Sequence, residues 1–337
     1  MEAMQQQQRS CRRRGIPLFS VLSLLLFALL WLCALPHIQA SPLKPFPFIV
    51  LHGIGDQCKN EGIMKFTEVL SEMSGAEGHC MSVGNGWRDS YFTHLEKQAA
   101  IICQKVREKP ELQDGYNIVG LSQGSMLARA VIEWCPGGPP VYNFVSLGGP
   151  HAGIAAVPLC VVMSLCRLIN AVIGRFVYTQ IVQNHLAPSG YIKIPTELSR
   201  YYKGTSFLPR LNNEIAKSRN EIYKKRLSSL NHLTLIMFTE DVILTPPQTA
   251  WFGYYANNDF GGEILPANET DLYKEDWIGL QTLDKAGKLS FVAFPGNHLS
   301  ISETEMEDHI VPFLVAPSES SRVTWMDSFH SNAQMDF

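Results

Sequence analysis

The stretch Gly120-Leu121-Ser122-Gln123-Gly124 sets a serine between two glycines. A serine hydroxyl is a weak nucleophile until a neighbouring base takes its proton. The pattern G-x-S-x-G supports that chemistry where a strand hands over to a helix, because the tight turn presents the serine at the strand's carboxyl edge. Here the apolar "GYNIV" precedes the motif and the helix-like "SMLARAVIEW" follows it. That setting separates it from a Gly-Ser turn with no chemical role. Amides at a helix start also favour a developing oxyanion. The Gln123 N–H is one candidate donor. The Ile54 N–H, in the glycine-rich "LHGIGD" turn over Leu51 to Asp56, is the second.

A serine hydrolase built this way has its acid and then its histidine later in the chain. His298, in "FPGNHLS", follows the last strand-like run and is the expected base. His151, in "GGPHAG", comes before any candidate acid and breaks the order. His309 lies inside a helical pattern and His330 in the tail. The acid should follow a strand between Ser122 and His298. Asp241 ends "LTLIMFTED" and is the choice, with Glu240 its direct competitor. Strand neighbours point to opposite faces, so both cannot aim at one imidazole. His52 and Asp56 read as residues that shape the first loop.

These residues need a frame. "PFPFIVLHG", "HCMSVG", "YNIVGLS", "VYNFVSLGG", Leu233–Asp241 and Lys288–His298 read as strands. Helical patterns separate them near Gly62–Met73, over Asp89–Arg107 as one amphipathic helix, and over Ser125–Trp134. Strands alternating with helices predict an α/β fold, a mostly parallel sheet covered on both faces. The rhythm breaks between about residues 150 and 231, which read as a helical insertion. Its apolar piece "AAVPLCVVMSLCRLINAVIGRFV" contains Pro158, Arg167, Asn170 and Arg175, and charges at mid-bilayer are costly. The insertion is therefore expected to form an apolar groove beside Ser122, with Leu159, Val162, Leu165 and Ile169 as apolar candidates for groove or core. "ETEMEDHIVPFL" closes the domain at about residue 315 as a helix. Residues 316–337 read as a polar, loosely held tail.

The chain has 337 residues, 46% of them hydrophobic, and a net charge of −3. With a pI near 6.4, this argues against nucleic-acid binding. Arg12–Arg14, the apolar run from Leu18 to Leu35 and the small residues Ala40 and Ser41 form a secretory signal layout over residues 1–40. Cleavage after Ala40 is expected, with a retained signal anchor as the alternative. Cleavage removes four arginines and one glutamate and takes the net charge to −6. Cys11 and Cys33 leave with that segment. Cys58, Cys80, Cys103, Cys135, Cys160 and Cys166 remain, an even set suited to disulfides in a secreted protein. No C-x-x-C occurs, so no metal is expected, and no cofactor. Asn268-Glu269-Thr270 is the single N-x-S/T sequon and marks Asn268 for glycosylation.

The strings "LHGIGD", "GYNIVGLSQGSMLARAVIEWCP", "GGPHAG", "WFGYY", "TDLYKEDWIGLQTLDKAGKL" and "NHLSISE" together resemble the lysosomal palmitoyl-protein thioesterases, from Pro45 to Leu314. The resemblance implies an α/β-hydrolase fold with a helical insertion and removal of fatty acyl groups from protein cysteine. It puts the triad on Ser122, Asp241 and His298. It implies the disulfides Cys103–Cys135 and Cys160–Cys166. Cys58 and Cys80 depart from the family's adjacent-cysteine pattern, so their pairing follows only from what is left over. The expected partners are S-acylated proteins or peptides and long-chain acyl thioesters, met through transient contact with lipid surfaces. The expected location is the secretory pathway, ending in the lysosome, a vacuole or outside the cell. A lipid esterase or acyl-CoA thioesterase with the same triad is one alternative, and a catalytically silent binding protein of the same fold is another.

Overall fold

Alternation within the first strand sorts the core into two faces. Ile49 and Leu51 join one apolar cluster, whereas Phe48 and Val50 join another. The computed structural model describes residues 43–84, 86–156, 174–256 and 259–333. Its six-stranded sheet comprises β1 (Phe48–Leu51), β2 (Gly78–Met81), β3 (Tyr116–Leu121), β4 (Val141–Leu147), β5 (His232–Phe238) and β8 (Leu289–Phe294). The order is β2-β1-β3-β4-β5-β8, with every pair parallel. β6 (Tyr254–Tyr255) and β7 (Ile264–Leu265) form a small antiparallel pair between β5 and β8.

Every residue of β3 and β4 is buried, as apolar runs covered on both faces should be. One face is covered by helices Leu95–Glu108, Gln123–Trp134 and Glu221–Ser228. The opposite face is covered by helix Glu61–Ser74 and by the segment from Glu303 to Leu314. This layered parallel sheet is the α/β-hydrolase arrangement.

Two expectations need correction. The helix over Asp89–Arg107 is two helices, Trp87–Phe92 and Leu95–Glu108, because Thr93 is extended. The buried Gln98 side chain donates to the carbonyls of Asp89, Ser90 and Thr93, which terminates the first helix. Phe92, at the end of the first of these helices, is 58% exposed rather than part of one buried stripe. The tail is not loose: Glu319–Ala333 is a helix. Trp325 anchors it, buried against Phe46 and Tyr142 and donating from Nε1 to the Ser229 carbonyl.

From residue 174 on, the described part of the segment after β4 contains short helices, Gln180–His185, Leu198–Gly204 and Phe207–Leu211. Leu159, Val162, Leu165, Ile169, Cys160 and Cys166 lie outside the described residues, as do residues 1–40. A buried arginine joins this segment to the helix after Ser122. Arg129 pairs with Glu133 at 2.9 Å and donates to Asn212 Oδ1 at 2.8 Å and to the Leu211 carbonyl at 3.0 Å. Both charges are fully enclosed, and removing one partner of such a pair costs about 3–5 kcal/mol.

Two disulfides brace the framework. Cys103–Cys135 links helix Leu95–Glu108 to the end of helix Gln123–Trp134. Cys58–Cys80 ties the loop after β1 to β2. Closing a loop of 22 residues stabilises by about 3 kcal/mol in the chain-entropy account. Among the described residues, no helix is long and apolar enough to cross a membrane.

Candidate active site

β3 ends at Leu121 and helix Gln123–Trp134 begins at Gln123, so Ser122 alone makes the turn. Its φ of 52° and ψ of −121° are unusual for a residue with a side chain. Such strain persists only where the surroundings enforce it. Ser122 N–H donates to the Leu147 carbonyl of β4 at 2.8 Å, and the Ser122 carbonyl accepts from Ser125 N–H at 2.9 Å. Gly124 lets the helix approach β1. A Cβ there would stand 2.0 Å from the Leu51 carbonyl oxygen, so no larger residue fits.

His298 follows β8 and sits beside Asp241. Its Nδ1 lies 2.6 Å from Asp241 Oδ2. A carboxylate only accepts, so Nδ1 carries the proton and donates it. The other carboxylate oxygen, Oδ1, accepts from the amides of Ile243 at 2.8 Å and Leu244 at 2.9 Å. The carboxylate is thereby fixed in direction before the imidazole meets it. Among the described residues, His298 Nε2 is buried with no hydrogen-bond partner, which leaves the ring's lone-pair nitrogen uncommitted. Glu240 is exposed, whereas Asp241 is buried. Strand alternation is not what separates them: β5 ends at Phe238, and both carboxylates lie on the turn beyond it.

Ser122 and His298 line one cavity of about 730 Å³. Gly53, Ile54 and Asp56 of the first loop reach it, as do Tyr91, Ile243 and Leu244. Phe176, Val177, Val182, Leu186, Tyr191 and Ile192 of the segment after β4 form an apolar wall. The sequence motifs gave no sign of Tyr91 or Phe176; only the fold brings them here.

The first loop is held from several sides. Gly55 N–H donates to Ser90 Oγ at 2.8 Å, Cys58 N–H to Ser82 Oγ at 2.9 Å, and Asp56 Oδ1 accepts from Gln57 N–H at 2.8 Å. Ile54 is thus presented to the cavity on a braced turn. Gln123 opens its helix, so its N–H has no acceptor within that helix. The Gln123 side chain, passed over at the sequence level, donates to the Ser90 carbonyl at 2.8 Å and accepts from Tyr191 Oη–H at 3.1 Å.

His52, His151 and His309 sit in other settings. His52 is buried, with Nδ1 2.9 Å from the Gly53 carbonyl, and burial lowers its pKa. His151 is fully buried, stacks on Phe252 and places Nε2 2.8 Å from Ser146 Oγ. Burial holds its pKa well below the usual histidine range, so it stays neutral. His309 packs edge-on against Phe294. The His330 side chain lies outside the described residues. Asn268 is exposed, in a short turn over Ala267–Glu269.

Comparison with known proteins places the chain in a family. The family model for palmitoyl protein thioesterase matches residues 47–298. Palmitoyl-protein thioesterase 1 of Caenorhabditis elegans is 34% identical over 275 residues, covering 80% of this chain and 91% of that protein. Palmitoyl-protein thioesterase 3 of Dictyostelium discoideum is 33% identical over 233 residues, covering 69% of this chain and 77% of that protein. Among solved structures, the monoacylglycerol lipase of Paleococcus ferrophilus aligns with a TM-score of 0.42 and 13% identity, over 79% of this chain and 93% of that one. The chain belongs to the palmitoyl protein thioesterase family.

Proposed function

We propose that Ser122, His298 and Asp241 hydrolyse the thioester between a long-chain fatty acyl group and protein cysteine, through an acyl-enzyme on Ser122. The observation that carries this reading is His298. Its Nδ1 is fixed by Asp241, its Nε2 is uncommitted, and it shares an apolar cavity with a serine on a strained turn.

Ser122 Oγ attacks the thioester carbonyl carbon while His298 Nε2 takes the hydroxyl proton. Asp241 stabilises the imidazolium so formed. The carbonyl oxygen becomes an oxyanion, received by the N–H groups of Ile54 and Gln123. Collapse of this intermediate breaks the C–S bond, and the cysteine sulfur leaves with the proton from His298. A thiol with a pKa near 8.5 is a good leaving group, so the demand on His298 as acid is modest. Water then repeats the sequence in reverse, with His298 as base. Free fatty acid departs and Ser122 is restored. No metal or cofactor enters any step.

The acyl chain lies along Phe176, Val177, Val182, Leu186 and Ile192. Each buried methylene contributes about 0.8 kcal/mol. Phe176 is 61% exposed and Ile181, beside Val182, is 77% exposed, which suits transient contact with the lipid surface that holds the acyl chain. Two braced disulfides and relatives named lysosomal thioesterases in Drosophila melanogaster and Homo sapiens support work in the secretory pathway and the lysosome. Turnover of an S-palmitoyl peptide, an acyl-CoA and a glycerolipid, compared between the native chain and Ser122→Ala, tests the proposal. The peptide should be preferred and the variant inactive. Equal turnover by the variant, or preference for the glycerolipid, would refute it.

A further inference from the structure

The cleft beside Asn268 lies apart from the acyl cavity and shares none of its lining residues. Its volume is about 450 Å³. Asn268 itself forms part of its wall, together with Trp251, Phe291, Tyr273, Gln248 and Asp284. We infer that this cleft is a carbohydrate site and that its occupant is the innermost sugar of the chain's own N-linked glycan on Asn268.

The chemistry of the wall motivates the assignment. A pyranose has an apolar C–H face and a rim of hydroxyl and amide groups. Aromatic rings suit the face, and planar polar side chains suit the rim. Trp251 and Phe291 stand with ring centroids 5.8 Å apart at 73°, making a corner of two platforms. Trp251 Nε1 donates to the Leu235 carbonyl at 2.9 Å, which fixes the indole plane. Phe291 is 40% exposed on β8, at the open edge of the sheet. Although it packs edge-on against Trp251, Phe291 still leaves part of its ring open to solvent at the edge of the sheet. A sugar laid on it covers that ring. Gln248 brings an amide whose buried Oε1 has no hydrogen-bond partner among the described residues. Asp284 and Tyr273 add a carboxylate and a phenol, joined by a hydrogen bond.

The attachment point is held in place. Asn268 is exposed in a turn fixed by Glu269 N–H to the Pro266 carbonyl at 3.0 Å and by Thr270 N–H to the Ala267 carbonyl at 3.0 Å. Thr270, which completes the sequon, also donates from Oγ1 to the Ala267 carbonyl at 2.7 Å. Glycosylation forms a bond from Asn268 Nδ2 to C1 of an oligosaccharide as the bond from C1 to a lipid pyrophosphate donor breaks; the lipid pyrophosphate leaves and the Nδ2 proton is released. The tether then gives the first sugar a high effective concentration at the cleft, so weak stacking suffices.

The full-length chain, secreted from a glycosylating host, is measured in three forms: intact, trimmed to a single N-acetylglucosamine with endoglycosidase H, and stripped with peptide N-glycosidase F. The intact and single-sugar forms should melt together. The stripped form, and Asn268→Gln, should melt about 1–2 °C lower, the shift that about 1 kcal/mol gives in a domain of this length at about 2.1 cal/mol/K of unfolding entropy per residue. In Phe291→Ala the gap between intact and stripped forms should close, and in Phe291→Tyr it should persist. Closure of the gap is a coupling that a purely structural role for Phe291 would not produce. An unmodified Asn268 in the peptide mass spectrum, equal melting of intact and stripped native chain, or an undiminished gap in Phe291→Ala would overturn the assignment.

Discussion

The imidazole of His298 occupies space that a side chain on Gly148 would need. A Cβ built on Gly148 would stand 2.9 Å from His298 Cε1 and 3.2 Å from Nδ1. Gly148 also has a φ of +56° and follows directly on β4. Gly148→Ala therefore meets two penalties. The left-handed backbone costs about 1–2 kcal/mol of stability. The displaced ring should cost kcat about 10²-fold, the scale for a catalytic group moved by roughly 1 Å. Steady-state kinetics beside a melting curve checks both. A stable Gly148→Ala enzyme with native kcat would show that the ring has room to spare.

Asp241 and Glu240 should separate cleanly. Asp241→Asn replaces an oxygen that accepts from His298 or from two backbone amides, so kcat should fall by about 10⁴, the scale of a lost triad carboxylate. Glu240 is exposed, and Glu240→Gln should leave kcat unchanged. The reverse ranking would move the acid by one residue.

Gln123 has a side chain that positions its own amide. It spans the Ser90 carbonyl and Tyr191 Oη, joining the first loop's support to the acyl wall. Gln123→Ala keeps the backbone N–H and removes the brace. We expect a fall in kcat smaller than the 10²–10³ of a deleted oxyanion donor, with KM little changed. A raised KM with native kcat would assign the side chain to substrate binding instead.

Chain-length preference reports on the apolar wall. Across a thioester series, kcat/KM should rise by up to about fourfold per methylene, the equivalent of 0.8 kcal/mol, until the cavity ends. Val182→Trp should shorten the preferred chain and leave short acyl groups unaffected. Equal kcat/KM for acetyl and palmitoyl thioesters would make the segment after β4 packed core rather than groove.

Much of this architecture was legible before any coordinates. β3 and β4 are buried throughout because both faces are covered, and a short, mostly apolar run ending in glycine announces that. The elbow around Ser122 was legible because two glycines, a strand and a helix are all local signals. Asp241 is legible from its place just after a strand, but its separation from Glu240 is not: strand alternation does not extend past Phe238, and the turn sets the two carboxylates apart. The break at Thr93 depends on Gln98 reaching back to three carbonyls, a contact that periodicity does not encode. Trp325 in a polar tail gives no hint of Phe46 and Tyr142, far away in sequence. Tyr91, Phe176 and Tyr191 converge on the cavity from separate segments, and Gly148 matters only through His298. Such residues are defined by tertiary neighbours, which no window of sequence contains.

The central claim is covalent chemistry at Ser122, and trapping the intermediate tests it most directly. The full-length chain is mixed with a palmitoyl-cysteine peptide, quenched in acid within the first turnover, digested and examined by mass spectrometry. The account predicts a palmitoyl adduct on the peptide carrying Ser122, formed as the free thiol is released and absent from Ser122→Ala. Thiol release with no adduct on Ser122, or an adduct on another residue that survives in Ser122→Ala, would contradict it.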